Sequence, residues 1–473
     1  MKHGRGVTTL ILAILLTLPA LARQASDEEL EKAVATMRNI VPDKMSKEEK
    51  EARAKELTKA WQTIQSTGEK GIKRLIAELD MLENSKTEDD YFKLSMGAFL
   101  WEIGGLDQAE LIARCWRSAR SFSANYQYVF FPAFAAAMTE DKRALPMLRA
   151  FLKDKESIVV VYRHGGMKLG WPIAQEFVWG AFGPKGLPEL MDIAKNSEDV
   201  VSQETALSLL ADSQYLEALP LARRWAREAT GQLKYTAYQS LGIFGHPTDF
   251  ETLLTGLKSR DPEEVYSCCW ALYEYGDARA VDKVLPLLAT ADMNLKTEIC
   301  SILLHLPTTP GLKAVIEQRD SSQNEEEKNI LTKLISSFFE ELEVPEEEYL
   351  KKSESEQKEL LAGWYARTNS SYRLEKGDRQ ATREEFLKAV EYWKKEGRID
   401  RQAGDYSWLE IKQMIAVARP EDIELLLELK SRLYRRLSDE CIPEIREIDK
   451  VIRYIGRSRY RKDPGVCLRI EAR

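Results

Sequence analysis

The sequence predicts an all-α fold, a right-handed α-solenoid of stacked antiparallel helix pairs with helical caps at both ends. Leucines recur every 31 residues through the middle of the chain, Leu, Ala, Glu, Lys and Arg dominate, and no alternating strand-type runs occur. A chain of 473 residues is too long for one hydrophobic core. A repeat array escapes that limit because each unit buries its apolar face only against its neighbours.

The first predicted element is a signal peptide over residues 1–22. A positive segment that includes Arg5 precedes the apolar stretch Val7–Leu18, and small residues stand at Ala20 and Ala22, where a signal peptidase reads. The apolar stretch is short for a membrane-spanning helix, which needs about 20 residues. We therefore expect cleavage after Ala22 and a periplasmic or secreted protein, with an uncleaved membrane anchor as the alternative.

Residues 23–67 are predicted to form an N-terminal helical cap, which includes a charged helix over Lys47–Gln65. The repeat array is predicted to follow over residues 68–342, with an irregular unit around Ile158–Gly170. Four sets of residues keep the 31-residue spacing: Leu210, Leu241, Leu272, Leu303 and Leu334; Ala206, Ala237, Cys268 and Ile299; Leu219, Phe250, Val281 and Leu312; and Asp261 with Asp292.

Each repeat has the content of two antiparallel helices. The apolar residues of Asp249–Ser259 fall at helical spacing. Asp261 and Pro262 then start a second helix, as N-cap and first helical residue, and Gly276 ends it. Neither helix could bury its apolar stripe alone, whereas stacked pairs bury both.

The second helix carries a family resemblance. Residues 233–245, Leu-Lys-Tyr-Thr-Ala-Tyr-Gln-Ser-Leu-Gly-Ile-Phe-Gly, resemble the second helix of HEAT repeats, particularly the short bacterial form typified by phycobilisome lyase subunits. Asp261-Pro262-Glu263 is similar to the turn of that family between its helices. The resemblance covers residues 184–319 well and weakens upstream. It implies a solenoid that serves as an interaction surface, and it carries no lyase activity over, because the matching residues are structural.

The chain beyond the array changes in composition. Residues 343–372 are predicted to be a charged linker or an exposed helix, and residues 373–473 a C-terminal helical module. Thr382 and Glu385 fit a capping box at the start of the first module helix. The predicted module helices are Thr382–Lys395, Trp408–Val417, Glu421–Leu437 and Glu440–Ile455.

Charge and cysteines limit the function further. The formal net charge of −7 argues against nucleic acid as the main ligand. The chain turns basic near its end, at Arg435-Arg436 and from Arg457 to Lys462, which predicts either solvated helix faces or a docking patch for an anionic surface. Cys441 and Cys467 could pair, and the other cysteines are expected to be free and buried.

The adjacent Cys268 and Cys269, with Cys300 one repeat later, suggest redox chemistry. Cys269 and Cys300 would occupy equivalent positions of helices that pack about 8–10 Å apart, whereas a disulfide needs Cα atoms within about 7 Å. We therefore expect free thiols at these positions.

The sequence contains no motif for metal or cofactor chemistry. His164 lies in the irregular unit without a sequence partner, His246 occupies a turn, and His305 lies on an apolar helix. We therefore expect no cofactor, no metal site and no catalytic residue.

Helical periodicity divides the second helix of each repeat into two faces. At about 100° per residue, one face is the buried one and the other points away from it. The buried columns are those of Ala206, Leu209 and Leu210, and the opposite columns are those of Glu204, Ser208 and Ala211.

The opposite columns hold a cluster of aromatic residues. In the unit around Leu272 they carry Tyr266, Trp270 and Tyr273, and the preceding unit adds Tyr235. Because second helices line the concave surface of HEAT-like arrays, the resemblance places these aromatics on the inner wall. Clustered aromatics are typical of binding hot spots. The alternative is that another part of the chain, such as the C-terminal module, covers them.

The predicted function is that of an exported HEAT-repeat scaffold, and not an enzyme, which binds a protein or peptide partner on its concave surface. The sequence leaves two alternatives. One is a lyase-like enzyme or enzyme subunit that uses the concave groove. The other is a protein that associates with a surface through its basic C-terminal segment. The oligomeric state is left open.

Overall fold

The computed structural model describes most of the chain beyond the predicted signal peptide, which lies outside the described residues. The described residues are 25–38, 47–85, 90–119, 122, 127–153, 158–162, 165–169, 171–306, 308–370, 379–396, 399, 411–436 and 441–460. They are almost entirely helical, as predicted. The chain divides into two compact units, residues 1–179 and 180–473.

The described part of the first unit consists of helices that pack on one another along the chain, and one β-hairpin. The elements are α1 (Asp27–Arg38), α2 (Lys47–Ser66), α3 (Glu69–Ser85), α4 (Asp90–Gly104), α5 (Ala109–Ser118), α6 (Gln127–Met138), α7 (Leu145–Phe151), β1 (Ile158–Tyr162), β2 (Gly165–Leu169) and α8 (Trp171–Phe182), whose last residues belong to the second unit. Helix α1 packs on α2, α4 on both α5 and α6, and α5 on α7.

The hairpin is the irregular unit that the sequence analysis placed at Ile158–Gly170. Its strands are antiparallel, with Ile158 opposite Leu169 and Tyr162 opposite Gly165. The run Ile-Val-Val-Val-Tyr in β1 is β-branched and aromatic, which favours a strand. The prediction of an all-α fold did not include this hairpin.

The second unit contains the regular repeats. Its elements are α9 (Leu187–Asn196), α10 (Val200–Asp212), α11 (Leu219–Glu228), α12 (Gln232–Phe244), α13 (Phe250–Gly256), α14 (Pro262–Tyr275), α15 (Val281–Val284), α16 (Met293–His305), α17 (Thr309–Ser321) and α18 (Glu325–Leu342). In the series α10, α12, α14, α16 and α18, each helix packs on the next. Helices α9, α11 and α13 pack on α10, α12 and α14 respectively.

The leucine column that defines the repeat forms the core between these helices. Leu210, Leu241, Leu272 and Leu303 are all 0% exposed. The columns that begin at Ala206 and Leu219 are buried as well. Asp261 and Asp292 cap α14 and α16, because their carboxylates accept hydrogen bonds from main-chain N–H groups at 3.1 and 2.9 Å.

The fifth leucine of the column does not share this position. Leu334 is only half-buried, and Leu331 and Ile335 are buried in α18 instead. The cap explains the difference. The 31-residue spacing from Asp292 would place the N-cap at 323, but Asn324 caps α18. A shift of one residue rotates the helix face by about 100°. The regular core therefore ends at α16.

The segment predicted as a charged linker or helix is helical, with α19 (Glu346–Lys351) and α20 (Glu354–Ser370). The C-terminal module has α21 (Arg383–Glu396), α22 (Ile411–Val417), α23 (Ile423–Arg435) and α24 (Cys441–Ser458). The predicted capping box is confirmed, because Thr382 N donates to the Glu385 carboxylate at 2.8 Å and Glu385 N donates to Thr382 Oγ1 at 3.2 Å.

The module has a core of its own. Helix α21 packs on α23, and α22 and α23 both pack on α24. Lys430 of α23 and Asp449 of α24 form an ion pair at 2.5 Å. The fully buried apolar residues of the module include Phe386, Trp393, Leu426, Leu433, Val451 and Ile452. Among the described helices of the whole chain, none is long and apolar enough to cross a membrane.

Candidate functional site

The four predicted site residues lie on two helices that pack against each other. Tyr235 is on α12, and Tyr266, Trp270 and Tyr273 are on α14. All four side chains are half-buried, whereas most of the residues around them on both helices are buried. We call these four residues the aromatic surface.

The sequence fixes the ends of α14 and thereby the spacing of its aromatics. Asp261 accepts the N–H of Glu263 and Pro262 opens the helix. Gly276 ends it in the left-handed region at φ +71°. Between these stops, Tyr266, Trp270 and Tyr273 stand at i, i+4 and i+7, which places them on one side of the helix.

The structure corrects one part of the face assignment. Glu204 and Ala211 were predicted to point away from the core, but both are buried. The reason is that α10 and α12 pack side by side, which buries the flanks of each helix as well as its leucine face. Thr236 Oγ1 of α12 lies 3.4 Å from the Glu204 carboxylate of α10.

Tyr235 is held by a carboxylate of the next repeat. Its hydroxyl donates to Asp261, the N-cap of α14. This hydrogen bond, together with desolvation and the nearby carboxylates, raises the pKa of Tyr235 to about 12. The ring is therefore fixed in orientation and stays neutral at physiological pH.

A polar cluster lies close to Tyr235. The Glu264 carboxylate accepts hydrogen bonds from Tyr238 at 2.8 Å and from Ser259 at 2.8 Å, and it pairs with Lys234 at 2.9 Å. Burial alone would raise the pKa of Glu264, but these three partners together lower it. The shifts of Tyr235 and Glu264 both move away from neutral pH, whereas a general acid or base works best with a pKa near the working pH.

A second constellation, which the sequence analysis missed, lies at the C-terminal ends of the repeat helices. Ala181, Asp212, Ile243 and Glu274 stand 31 residues apart, near the ends of α8, α10, α12 and α14. Each is followed two residues later by a residue in the left-handed region. Those residues are Gly183 (φ +86°), Gln214 (φ +51°), Gly245 (φ +66°) and Gly276 (φ +71°). We call Ala181, Asp212, Ile243 and Glu274 the C-terminal row.

Helices α23 and α24 of the module contact every position of the C-terminal row. Arg435 Nε donates to the Ala181 carbonyl at 2.9 Å. Arg453 pairs with Asp212 and with Glu274, at 2.8 Å in both cases. Arg457 donates to the carbonyls of Ile243 at 3.2 Å and Gly242 at 3.0 Å. Helix C-termini carry partial negative charge and free carbonyls, which guanidinium groups satisfy.

The contacts of α23 and α24 with the row show what the arginines of the basic segment bind. Arg457 is only 1% exposed, and Arg435 donates to a main-chain carbonyl. The prediction of solvated helix faces is therefore wrong for these arginines, and they do not form an open patch for an anionic surface. Arg461 and Lys462 lie outside the described residues. The sequence signal was a further column at the 31-residue spacing, made of Gly183, Gln214, Gly245 and Gly276.

The remaining predicted residues have structural surroundings. Cys268, Cys269 and Cys300 are buried and form no disulfide, as expected. His246 is the turn residue that was predicted, and its Nδ1 accepts from Thr248 N at 3.3 Å. Burial raises the pKa of the Cys300 thiol to about 12. His164 lies outside the described residues, and so does Cys467, which could pair with Cys441. The side chain of His305 also lies outside them.

Neither cluster resembles a metal site. Within the described ranges, no group of three or more His, Cys, Asp or Glu side chains could hold a metal ion. No protein-family model matches the chain, and no curated protein matches it significantly. The likeness to HEAT repeats therefore rests on the residues quoted from the sequence.

Proposed function

We propose that this chain is an exported α-solenoid scaffold of the HEAT-like type. Its aromatic surface, Tyr235, Tyr266, Trp270 and Tyr273, would bind a protein or peptide partner. The repeat pairing of α9–α14, with second helices side by side, supports the solenoid arrangement. In such an array the second helices line the concave side, where the aromatic surface would lie.

The observation that carries the proposal is the partial exposure of four aromatic side chains on two helices in which most of the other residues are buried. Large rings with polar tips are costly to leave in water and bring much contact area to a partner with little loss of conformational freedom. Tyr235 is already fixed by Asp261, so binding would not need to order it.

Binding is better supported than catalysis in the same groove. The titratable groups beside the aromatic surface are engaged with one another, as the Glu264 cluster shows. Their pKa shifts stabilise the protonation states that they already have at neutral pH. A lyase-like enzyme would instead require a group poised to exchange a proton.

Replacing Trp270 by Ala should weaken partner binding by roughly 30-fold, because an aromatic anchor contributes about 2 kcal/mol and each 1.4 kcal/mol is about a factor of ten. The partner would first be captured from the exported fraction with the wild-type protein, and its affinity for each variant would then be measured by calorimetry. Tyr215→Ala is the matched control, since Tyr215 is half-buried and lies outside the aromatic surface.

The opposite pattern would contradict this proposal. If Trp270 is an internal packing residue, Trp270→Ala would destabilise the fold about as much as Leu272→Ala does. It would then leave the affinity for the partner unchanged.

Export is the second part of the proposal. The native protein is expected to begin at Arg23, because the positive segment, the apolar stretch and Ala20-Leu21-Ala22 have the order of a signal peptide. Intact-mass spectrometry of the protein purified from its natural source measures this directly. A mass that includes residues 1–22 would refute cleavage.

A further inference from the structure

The two carboxylates of the C-terminal row meet at one guanidinium. Asp212 ends α10 and Glu274 lies near the end of α14, with α12 between these two helices in the packing order. Both nevertheless reach Arg453 at 2.8 Å. Without a cation there, two carboxylates would share a half-buried site beside the negative ends of three helices, which is unfavourable. The row therefore requires a positively charged occupant.

Helix α24 now occupies the row, and the spacing of its arginines matches the groups that they bind. Arg453 and Arg457 are four residues apart on α24 and so lie on one side of it. Arg453 binds the carboxylates of α10 and α14, and Arg457 binds the last carbonyls of α12. A guanidinium suits both tasks, because its several donors diverge in a fixed plane, whereas an ammonium is a point charge.

The approach of the two surfaces is close. A Cβ on Gly245 would lie 2.9 Å from Arg457 Nε, and a Cβ on Gly456 would meet the buried side chain of Gln214. Gln214 Nε2 in turn donates to the Ile243 carbonyl at 2.9 Å, beside the bond from Arg457. Small residues thus stand on both sides of the contact, which makes it a fitted surface for a helix.

The module binds the row through hydrogen bonds and ion pairs, and its helices also pack on one another. The polar groups are Ser431, Arg435, Arg453 and Arg457, and the ring of Tyr434 against Gly180 adds an apolar contact. A module with a core of its own can leave the row without exposing that core.

We propose that the C-terminal row is a binding surface for an α-helix that carries arginines four residues apart. Helix α24 occupies it as a built-in ligand, and a partner helix of the same chemistry displaces α24. This surface is separate from the aromatic surface, and the proposal does not depend on binding there.

The probe is a fluorescently labelled synthetic peptide with the sequence of residues 441–460, added to the full chain. The variant Arg453→Ala with Arg457→Met removes the guanidiniums of the built-in ligand and vacates the row. The peptide should bind this variant about tenfold or more tightly than it binds the wild type, in which α24 competes. Adding Asp212→Asn and Glu274→Gln should reduce the affinity of the variant about tenfold or more.

Two matched controls isolate the arginines of the row. Arg459→Ala changes a neighbouring arginine that donates to Pro420 within the module, and it should leave peptide binding at the wild-type level. A peptide that lacks Arg453 and Arg457 should not bind the vacated row. Equal binding of the original peptide to the wild type and to the double variant would overturn the proposal, and so would full binding after loss of Asp212 and Glu274.

A measurement on the unmodified chain covers the case in which the double variant does not fold. Raising NaCl from about 0.05 to about 0.5 M screens ion pairs and should speed hydrogen exchange in α24 while α12 stays protected. Exchange in α24 that does not respond to salt would overturn the proposal, because the contact would then not be held by charge.

Discussion

Replacing Leu241 or Leu272 by Ala is expected to lower the free energy of unfolding by about 2–5 kcal/mol. Both side chains are 0% exposed, in the leucine column between α10, α12, α14 and α16. Truncation loses the transfer free energy of the deleted atoms and leaves a cavity that helices packed on both flanks cannot close. Denaturant unfolding followed by circular dichroism gives the change.

Leu334→Ala is the matched control for this experiment. Leu334 belongs to the same 31-residue column in the sequence, but it is half-buried because α18 begins one residue late. We expect its loss to cost less than about 1 kcal/mol. Equal losses at Leu334 and Leu272 would mean that the register of α18 given by Asn324 is wrong.

The repeat core could be predicted from the sequence because it depends on local information. A column such as Ala206, Ala237, Cys268 and Ile299 is apolar in every unit, and helical periodicity then places it on one face. Caps such as Asp261 are equally local, since a side chain and a main-chain N–H two or three residues away decide them. These are the elements that the structure confirms.

Features that depend on contacts between distant residues could not be predicted in this way. The sequence gives Arg435 and Arg457 the composition of solvated helix faces, and only the fold places them against Ala181 and Ile243. Their partners are main-chain carbonyls, which leave no trace in residue type. The 31-residue column of Gly183, Gly245 and Gly276 indicated where helices end, but not what would bind there.

The aromatic surface falls between these cases. Periodicity places Tyr266, Trp270 and Tyr273 on one side of α14, and all three side chains are half-buried. The same rule was wrong for Glu204 and Ala211 of α10, because a helix with neighbours on both flanks has more than one buried face. A helical wheel divides an isolated helix into one buried and one exposed face. It does not include the burial of a flank by a second neighbouring helix.

Replacing Gly242 by Ala tests how closely α12 and α14 pack. The sign of the change in the free energy of unfolding tells close packing from a looser contact. In an exposed helix, Gly→Ala stabilises by about 1 kcal/mol, because Ala has the higher helix propensity. A Cβ at Gly242, however, would meet the main chain of α14 at Ala271, with its Cα at 2.7 Å and its carbonyl carbon at 2.9 Å. Main-chain atoms cannot rotate away as a side chain can.

We therefore expect Gly242→Ala to destabilise by about 1–3 kcal/mol, as overpacking does, in spite of the propensity gain. Gln239→Ala is the control, since Gln239 lies on the same helix and is half-buried, and it should change stability by less than about 0.5 kcal/mol. Denaturant midpoints of both variants provide the comparison. A Gly242→Ala protein more stable than the wild type would show that α12 and α14 lie farther apart than the structure places them.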